Sequence, residues 1–396
     1  MRHLGAVLKG LFVAAGAGLL AACSGTEITS GSGQCRPQQL SDVNEDLCTS
    51  SRRVSVFVAG DVLLHRRLQN RGYASGFDSI WADAEPFIRG ADIAYANLET
   101  PTALGLARGG VAVANSEKRF DDHVYSSFPM FNVHPDLIGD LARSGFDVMS
   151  TANNHALDRG GRGAEMTIAA LQQEGLAFTG TRDGERSQEW WTVTNSALGR
   201  IAWIACTYST NGVPDPARRV LNCYDDRSEL LGEVRALSSR NDIAGVIVTP
   251  HWGYEYQHQP NPRQRSLNRD LAAAGAMAVI GAHSHVVGPW AETPRPGGSK
   301  MLTMYSTGNF VSGQVGLRRQ ASMLGWMELC QVRGGGLAVA QAGYVPTYLN
   351  RITSRGPELD IVGESSSGVR RQAYHLVRDV IGAEREARVG ERCLSN

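Results

Sequence analysis

The chain has 396 residues, with 39 Lys or Arg and 39 Asp or Glu, so its formal net charge is zero. Nucleic-acid-binding proteins carry clustered positive charge, and no basic patch stands out along this sequence, so nucleic acid is excluded as a partner. The length is sufficient for one large α/β domain or two smaller ones.

The N-terminus has the features of a bacterial export signal. Two basic residues are followed by an apolar run over residues 10–22, which is shorter than the ~20 residues of a membrane-spanning helix. The LAAC sequence that ends at Cys23 looks like a lipobox, which predicts a signal peptide over residues 1–22 and lipid on the Cys23 thiol. The alternative is ordinary signal cleavage with Cys23 as a structural cysteine. With the lipid, we expect an exported protein anchored in the bacterial cell envelope, on its periplasmic or extracellular face.

Residues 23–50 are rich in Ser, Gly, Thr and Gln and lack apolar periodicity, which predicts a flexible tether between the lipid and a domain. Beyond Cys23 the number of cysteines is even, which favours disulfides in an exported protein. Sequence alone cannot fix their pairing. We expect Cys206 to pair with Cys223, and Cys393 to pair with Cys35 or Cys48. A cysteine-ligated metal centre is the weaker alternative, because no C-x-x-C motif occurs.

Hydrophobic strands alternate with helices over residues 51–350, which we interpret as the main domain. The clearest unit has strands at Gly245–Thr249 and Ala278–Ile280 around a helix, which is a βαβ unit with parallel strands. Further strands are expected over residues 54–60, 91–96, 146–152, 301–307, 325–332 and 337–349, and helices over 134–145 and 163–175. Residues 351–396 hold a charged helix-like segment, which we expect to pack back on the domain or to mediate contacts.

Polar side chains follow these strands, at the sheet edge where open α/β folds bind ligands. Imidazole is the commonest ligand of transition metals, and His283 and His285 can face the same way in extended backbone. The strand ends therefore predict one constellation, made of Asp61, Glu99, Asn154, His155, Asp158, His251, His283 and His285. Mixed nitrogen and oxygen donors favour Mn, Fe or Zn over Ca or Mg. A bridging carboxylate, from Asp61 or Glu99, would suit two divalent ions.

The segments GDVLL, NLETP, ANNHALDRG, HWGYEY, IGAHSHV and YSTGNF occur in this order along the chain. Together they resemble the capsule-synthesis CapA family, also called the poly-γ-glutamate biosynthesis or PgsA-like family. That family is a branch of the calcineurin-like metallophosphoesterase superfamily. The resemblance covers roughly residues 52–315. It implies an α/β fold, a four-layer α/β/β/α sandwich of the metallo-dependent phosphatase type, with the site at the strand ends.

The resemblance also implies roles for single residues. His155 would protonate the leaving group or stabilise charge, and Glu99 matches a carboxylate near the superfamily's bridging position. Asp158 either orients His155 or caps a helix that starts near Gly160. Glu255 is either a solvated loop carboxylate or, as the family match favours, a ligand or a substrate-facing group. The implied metal ligands are Asp61, Asn154, His251, His283 and His285.

One departure concerns the superfamily's opening Asp-x-His motif, since Asp61 is followed here by Val62 and Leu63. Four residues after Asp61, His65 is expected to pack or to face solvent rather than to replace the missing ligand. The departure bears on the number of ions, because fewer ligands hold fewer ions.

We therefore expect a lipid-anchored hydrolase that makes, anchors or trims a capsule-type surface polymer similar to poly-γ-glutamate. The bond cleaved is a phosphoester or an amide-type bond, with His155, Asp158 and Glu255 as the catalytic residues. The alternative is a non-catalytic scaffold that binds the polymer for a capsule synthase or exporter. A nucleotidase is a third possibility, but no substrate-domain signature supports it. Expected partners are the anionic polymer or its precursor, the membrane through the N-terminal lipid, and the synthase or exporter.

Overall fold

The structure, a computed structural model, describes residues 35–114, 116–184, 189–390 and 393. The predicted signal peptide and the predicted lipidation of Cys23 lie outside the described residues. No helix within the described part of the chain combines the length and the apolar character needed to cross a membrane.

Fifteen strands and eight α-helices make up the described chain. The strands are β1 (Ser41–Asp42), β2 (Val54–Leu63), β3 (Ile93–Leu98), β4 (Val148–Ser150), β5 (Ala177–Thr179), β6 (Trp191–Ser196), β7 (Gly199–Thr207), β8 (Gly245–His251), β9 (Ala278–Ile280), β10 (Trp290–Pro294), β11 (Lys300–Met304), β12 (Asn309–Ser312), β13 (Ala321–Gln331), β14 (Leu337–Asn350) and β15 (Glu358–Ile361). The helices are α1 (Arg66–Ser75), α2 (Glu85–Ile88), α3 (Asp136–Ser144), α4 (Gly160–Gln173), α5 (Arg227–Ser238), α6 (Pro262–Ala273), α7 (Leu317–Gln320) and α8 (Gly368–Ile381). Short 3₁₀ helices occupy Glu45–Leu47, Asp78–Ile80, Ala82–Ala84, Arg108–Gly110 and Ala383–Arg385.

The strands form two mixed sheets. The larger has nine strands in the order β1-β14-β13-β2-β3-β4-β5, with β12 paired to β2 and β15 paired to β14. The smaller has six strands in the order β10-β11-β9-β8-β7-β6. Strands β2 to β5 are parallel in the larger sheet, and β7, β8, β9 and β11 are parallel in the smaller. The carboxyl ends of these strands therefore open on one edge of each sheet. The two strands of the predicted βαβ unit are among them.

The two sheets pack face to face, with helices outside them. Alternation along β2 shows the arrangement, because Val56 and Val58 lie in the core between the sheets whereas Phe57 faces the helices. Tyr95 of the larger sheet stacks on Trp203 of the smaller, with ring centroids 5.5 Å apart. Helices α1, α3 and α4 cover the outer face of the larger sheet, and α5 and α6 cover that of the smaller. The structure is thus the four-layer α/β/β/α sandwich that the sequence predicted.

Both ends of the described chain fold onto the larger sheet, which corrects the predicted flexible tether over residues 23–50 for its described part. Strand β1 pairs with β14, and the Asn44 side chain is buried there. Strand pairing satisfies backbone groups whatever the side chains are, so a polar segment can still be ordered. The C-terminal extension packs on the domain through β15 and α8. Residues 35–50 and 351–390 thus belong to the same body as the domain predicted over residues 51–350.

Three disulfides link the cysteines of the described chain, and they are Cys206–Cys223, Cys35–Cys393 and Cys48–Cys330. The expected pairing of Cys206 is confirmed, and Cys393 selects Cys35 from its two candidates. Two of the bonds tie the N-terminal segment to the rest of the chain, across sequence separations of 358 and 282 residues. The segment predicted as a tether is therefore held covalently as well as by strand pairing.

Candidate metal centre

Asp61 reaches the edge shared by the two sheets because β2 is irregular just before it. The pairing of β2 with β3 changes register between Val58 and Asp61. A Cβ on Gly60 would lie 2.0 Å from the carbonyl oxygen of Gly308, so glycine is what lets the two backbones approach. Strand β12 can therefore pair alongside Asp61, whose side chain is fully buried.

Strand β3 and the residue that follows it contribute two polar side chains, Asn97 and Glu99, and sequence reasoning missed the first. The Asn97 amide donates to Oδ1 of Asp61 at 2.8 Å and lies 3.2 Å from Nδ1 of His251. Glu99 is buried, and both of its carboxylate oxygens lack a hydrogen-bond partner among the described residues. Residues two apart on a strand face the same way. That spacing within the NLE segment was the signal that would have identified Asn97 together with Glu99.

Three histidines come from the smaller sheet. Nε2 of His251, at the end of β8, lies 2.8 Å from Oδ1 of Asn154 and 3.3 Å from Oε1 of Glu99. His283 and His285 follow β9 with φ of 94° and 56°. These angles are left-handed, so the extended backbone expected for the H-x-H pair is wrong, although both rings do lie beside Glu99. Left-handed backbone at residues other than glycine costs on the order of 1–3 kcal/mol each, a cost that clusters at functional sites.

The Glu99 carboxylate belongs to two neighbouring groups of metal-competent side chains. One contains Glu99, His283 and His285, and the other contains Asp61, Glu99 and His251, with the ligand atoms of each group within 4.8 Å of one another. Oδ2 of Asp61, both oxygens of Glu99 and Nδ1 of His283 are buried without a hydrogen-bond partner among the described residues. Such atoms are unfavourable unless a cation satisfies them. The side chains therefore fit a divalent metal.

Burial and mutual charge set the protonation of this cluster. Burial raises the pKa of Glu99 well above its ordinary value, and the charge of Asp61 raises it further. Burial lowers the pKa of His251 to about 3 and that of His283 well below its usual range, so both rings are neutral at pH 7, the form of imidazole that binds metal. Burial also opposes protonation of His285, but Glu99 and Asp61 outweigh it and raise the pKa to about 9. For Asp61, burial favours protonation, but the contact with His285 prevails and lowers the pKa.

A histidine and a carboxylate form a second pair beside the metal centre. Nδ1 of His155 lies 2.7 Å from Oδ2 of Asp158, and the same oxygen accepts the backbone N–H of Phe131 at 2.6 Å. Helix α4 begins at Gly160 after Arg159, and no described side chain caps its first turn. Asp158 therefore contacts the imidazole and does not cap the helix. With Nδ1 held by a carboxylate, Nε2 is the ring atom of His155 that can exchange a proton with a ligand.

These groups open into a cleft of about 340 Å³ at the sheet edge, whose lining includes Asn154, His155, Asp158, Glu255 and His285. Glu255 is exposed at the rim of this cleft, whereas the other predicted site residues are buried. That position suits a substrate-facing group better than a buried ligand. His65 also lines the cleft, half-buried and in edge contact with Phe131, and so packs as expected.

Residues 55–314 match the family of the bacterial capsule synthesis protein PGA_cap. The PGA biosynthesis protein CapA of Bacillus subtilis (strain 168) is 26% identical over 275 residues, covering 68% of this chain and 66% of that protein. The capsule biosynthesis protein CapA of Bacillus anthracis is 24% identical over 277 residues, covering 69% and 63%. The match therefore spans just under two thirds of either relative.

Among solved structures, the NAD nucleotidase of Haemophilus influenzae has a TM-score of 0.46 at 12% identity, covering 81% of this chain and 55% of that one.

Proposed function

The chain belongs to the bacterial capsule synthesis protein PGA_cap family, and we propose that it is a metal-dependent hydrolase that acts in making, anchoring or trimming a capsule-type surface polymer. The observation that carries this proposal is the sharing of Glu99 between two groups of metal-competent side chains, next to the His155–Asp158 pair. The names of the two Bacillus relatives, a PGA biosynthesis protein and a capsule biosynthesis protein, favour a polymer of that kind as the substrate.

The chemistry follows from which side chains surround the cleft. Divalent ions, with Mn, Fe or Zn favoured by the mixed donor set, would supply Lewis-acid activation of water and neutralise charge at the cleaved phosphoester or amide-type bond. The side chains that would hold them are Asp61, Glu99, Asn154, His251, His283 and His285. Asn97 fixes the ring of His251. His155 gives a proton from Nε2 to the leaving-group atom while Asp158 keeps the ring oriented, and Glu255 faces the substrate from the rim.

The proposal includes export and attachment to the bacterial cell envelope through a lipid on Cys23. Three disulfides within the described chain support export, because disulfides persist in oxidising compartments and are rare in the cytosol. The partners proposed on this basis are the membrane, through the lipid, an anionic surface polymer or its precursor, and a capsule synthase or exporter.

A non-catalytic scaffold is the second candidate, and the missing Asp-x-His motif favours it. Val62 and Leu63 are buried apolar residues, so β2 contributes Asp61 without a histidine beside it. A site with fewer ligands would hold one ion in place of two. In that case the protein would bind the anionic polymer for a capsule synthase or exporter and would not cleave it.

Metal content and hydrolysis, measured on the same preparations, separate these candidates. We expect about two ions per chain in the wild type, on the two-metal pattern, and loss of bound metal in His283→Ala. His155→Ala should keep its metal but hydrolyse model phosphodiesters or γ-glutamyl polymers about 10²- to 10⁴-fold more slowly, the usual contribution of a positioned acid. His123→Ala, which removes an exposed imidazole, is the matched control and should behave as wild type.

Two results would count against hydrolysis. Unchanged rates in both His155→Ala and His283→Ala would show that the cleft does not catalyse the measured reaction. A folded wild-type protein with one ion or none, inactive on every substrate, would favour the scaffold.

A further inference from the structure

A second, larger cleft lies at the opposite edge of the two sheets, and we name it the arginine cleft. It has a volume of about 870 Å³ and is lined by the turns that precede parallel strands, including Gly199 at the start of β7 and Gly245 at the start of β8. His251 of the metal centre lies at the other end of β8. Seven residues of strand span about 20 Å, so the arginine cleft and the metal centre are separate sites.

Positive charge dominates the lining of this cleft, which has five arginines and one acidic residue. The acidic residue is Asp242, and the arginines are Arg200, Arg235, Arg240, Arg295 and Arg333. Arg200 and Arg240 share Asp242 as their partner. Arg235 and Arg333 are exposed and have no carboxylate partner among the described residues. A chain with zero net charge thus concentrates unneutralised cations in one concave surface.

Arg295 is the arginine that holds the cleft together. Its guanidinium donates to the carbonyl oxygens of Gly275 at 3.2 Å and Leu337 at 2.6 Å, and to the hydroxyl of Ser299 at 2.6 Å. It therefore joins three turns through neutral acceptors, and its half-buried charge faces no described carboxylate. A neighbouring anion would complement that charge.

Glycine turns leave the backbone of the cleft open to a ligand. Gly297, Gly298, Gly334 and Gly335 have positive φ, and a Cβ at any of them would meet nothing within 4 Å. The N–H groups of Gly298 and Gly335 donate to the carbonyl oxygens of Arg295 and Val332 within these turns, so the turns offer a ligand unobstructed space rather than free amides. Unobstructed turns beside arginines without a carboxylate partner therefore point to an anionic ligand.

From these observations we propose that the arginine cleft binds a segment of a polyanionic chain through its carboxylate or phosphate groups. Guanidinium groups match the geometry of both anions. The volume of the cleft and its number of arginines exceed what a single anion needs. A flexible chain can enter a concave cleft, whereas a flat lipid surface cannot. This inference rests on the proposed function for the polymer, which is the same in both. It uses neither the residues nor the chemistry of the metal centre. A chain held here would stay bound to the protein while another part of it reaches the metal centre.

Binding of labelled poly-γ-glutamate and of polyphosphate to the full chain tests the proposal. Whichever polyanion the wild type binds, the variant Arg235→Glu/Arg333→Glu should bind it at least tenfold more weakly. The affinity of the variant should also depend less on salt concentration. The matched control is Arg67→Glu/Arg265→Glu, which reverses two exposed arginines on α1 and α6 and should bind as wild type. Both variants should keep their metal content and their rate of hydrolysis.

Three results would overturn the proposal, namely no polyanion binding by the wild type, equal loss in both double variants, or binding of phosphatidylglycerol vesicles without binding of either polymer. Equal loss would indicate an effect of net charge alone. Vesicle binding would identify a membrane contact. Polymer binding that depends on Arg235 and Arg333 in a protein without metal or hydrolysis would overturn the proposed function and leave this inference intact.

Discussion

The two edges of the sandwich carry charge in opposite ways. At the carboxyl edge, Asp61 and Glu99 are fully buried and several of their oxygens have no hydrogen-bond partner among the described residues. At the amino edge, Asp242 and three of the arginines, Arg235, Arg240 and Arg333, are exposed in an open cleft. Buried unpaired charge costs folding free energy until a ligand satisfies it, whereas exposed charge costs little. The stability of the protein should therefore depend on what binds at the carboxyl edge and hardly at all on the charges of the amino edge.

Removal of the shared carboxylate should break this contrast most strongly. An ion present at 100 times its Kd stabilises the folded state by about 2.7 kcal/mol, so two ions contribute about 5 kcal/mol. Glu99→Gln should lose most of this gain, because both metal groups share Glu99. Without metal, the same variant should be at least as stable as wild type, since it no longer buries a carboxylate. Urea unfolding with and without Mn²⁺ measures both effects, and full stabilisation of the variant by Mn²⁺ would show that Glu99 is not shared.

The next largest effect should come from the disulfide that braces the carboxyl edge. Cys206 and Cys223 are 17 residues apart, and a bond closing a loop of about that length contributes about 3 kcal/mol. The loop carries Tyr208, whose ring centroid lies 4.3 Å from that of His283. Cys206→Ala/Cys223→Ala should therefore lower the free energy of unfolding and weaken metal binding together. Urea unfolding and metal titration test this pair of effects, with polyanion binding at the arginine cleft as the unaffected control.

The pH dependence of metal binding should be intermediate in size. Burial opposes protonation of His285, but Glu99 and Asp61 raise its pKa to about 9, so the ring is protonated at pH 7 and must lose that proton to bind metal. Metal affinity should thus increase with pH up to pH 9, by as much as about tenfold per unit, or about 1.4 kcal/mol. Neutral His251 adds no proton release over this range, whereas burial raises the pKa of Glu99, so any proton that Glu99 loses on binding metal makes the dependence steeper. Titration with Mn²⁺ at pH 6, 7 and 8 measures the slope, and a flat profile would contradict the assigned charge of His285.

The smallest effect should come from neutralising the acid of the amino edge. The hydrogen bond from Arg240 lowers the pKa of Asp242 to about 2, so whatever stability the pair contributes is present at neutral pH and is lost only as the pH falls through that value. Because both side chains are exposed, Asp242→Asn should leave the urea midpoint at pH 7 unchanged within error. It should instead strengthen polyanion binding, since two arginines lose their partner. A clear drop in the urea midpoint would show that stability depends on the charges of the amino edge as well as on those of the carboxyl edge.

Local patterns predicted the framework and most of the metal centre. The βαβ unit around α6 could be recognised because its strands are short apolar runs with β-branched residues, and His251 and His283 lie at or just after the strand ends. The left-handed backbone of His283 and His285 could not be predicted, because residue type disfavours it and packing around the loop imposes it.

Features assembled from distant segments escaped prediction. Residues 35–50 have the composition of a linker, and what orders them is pairing with β14 and disulfides to residues hundreds of positions away. The arginine cleft draws on five separate turns, so no local run of positive charge marks it along the chain. Asn97 differs from both cases. Its spacing of two residues from Glu99 was visible in the sequence, and only the amide side chain was overlooked.

The Cys35–Cys393 bond closes the described chain into a covalent ring. A single cut in a surface turn would therefore leave both pieces attached to each other, and the fold would retain its connectivity. The same closure makes the protein suited to circular permutation, with the old ends joined by a short linker and new ends placed in the glycine turn at Gly334–Gly336. Such a permuted chain would carry a fused reporter beside the arginine cleft and leave the metal centre at the far edge untouched.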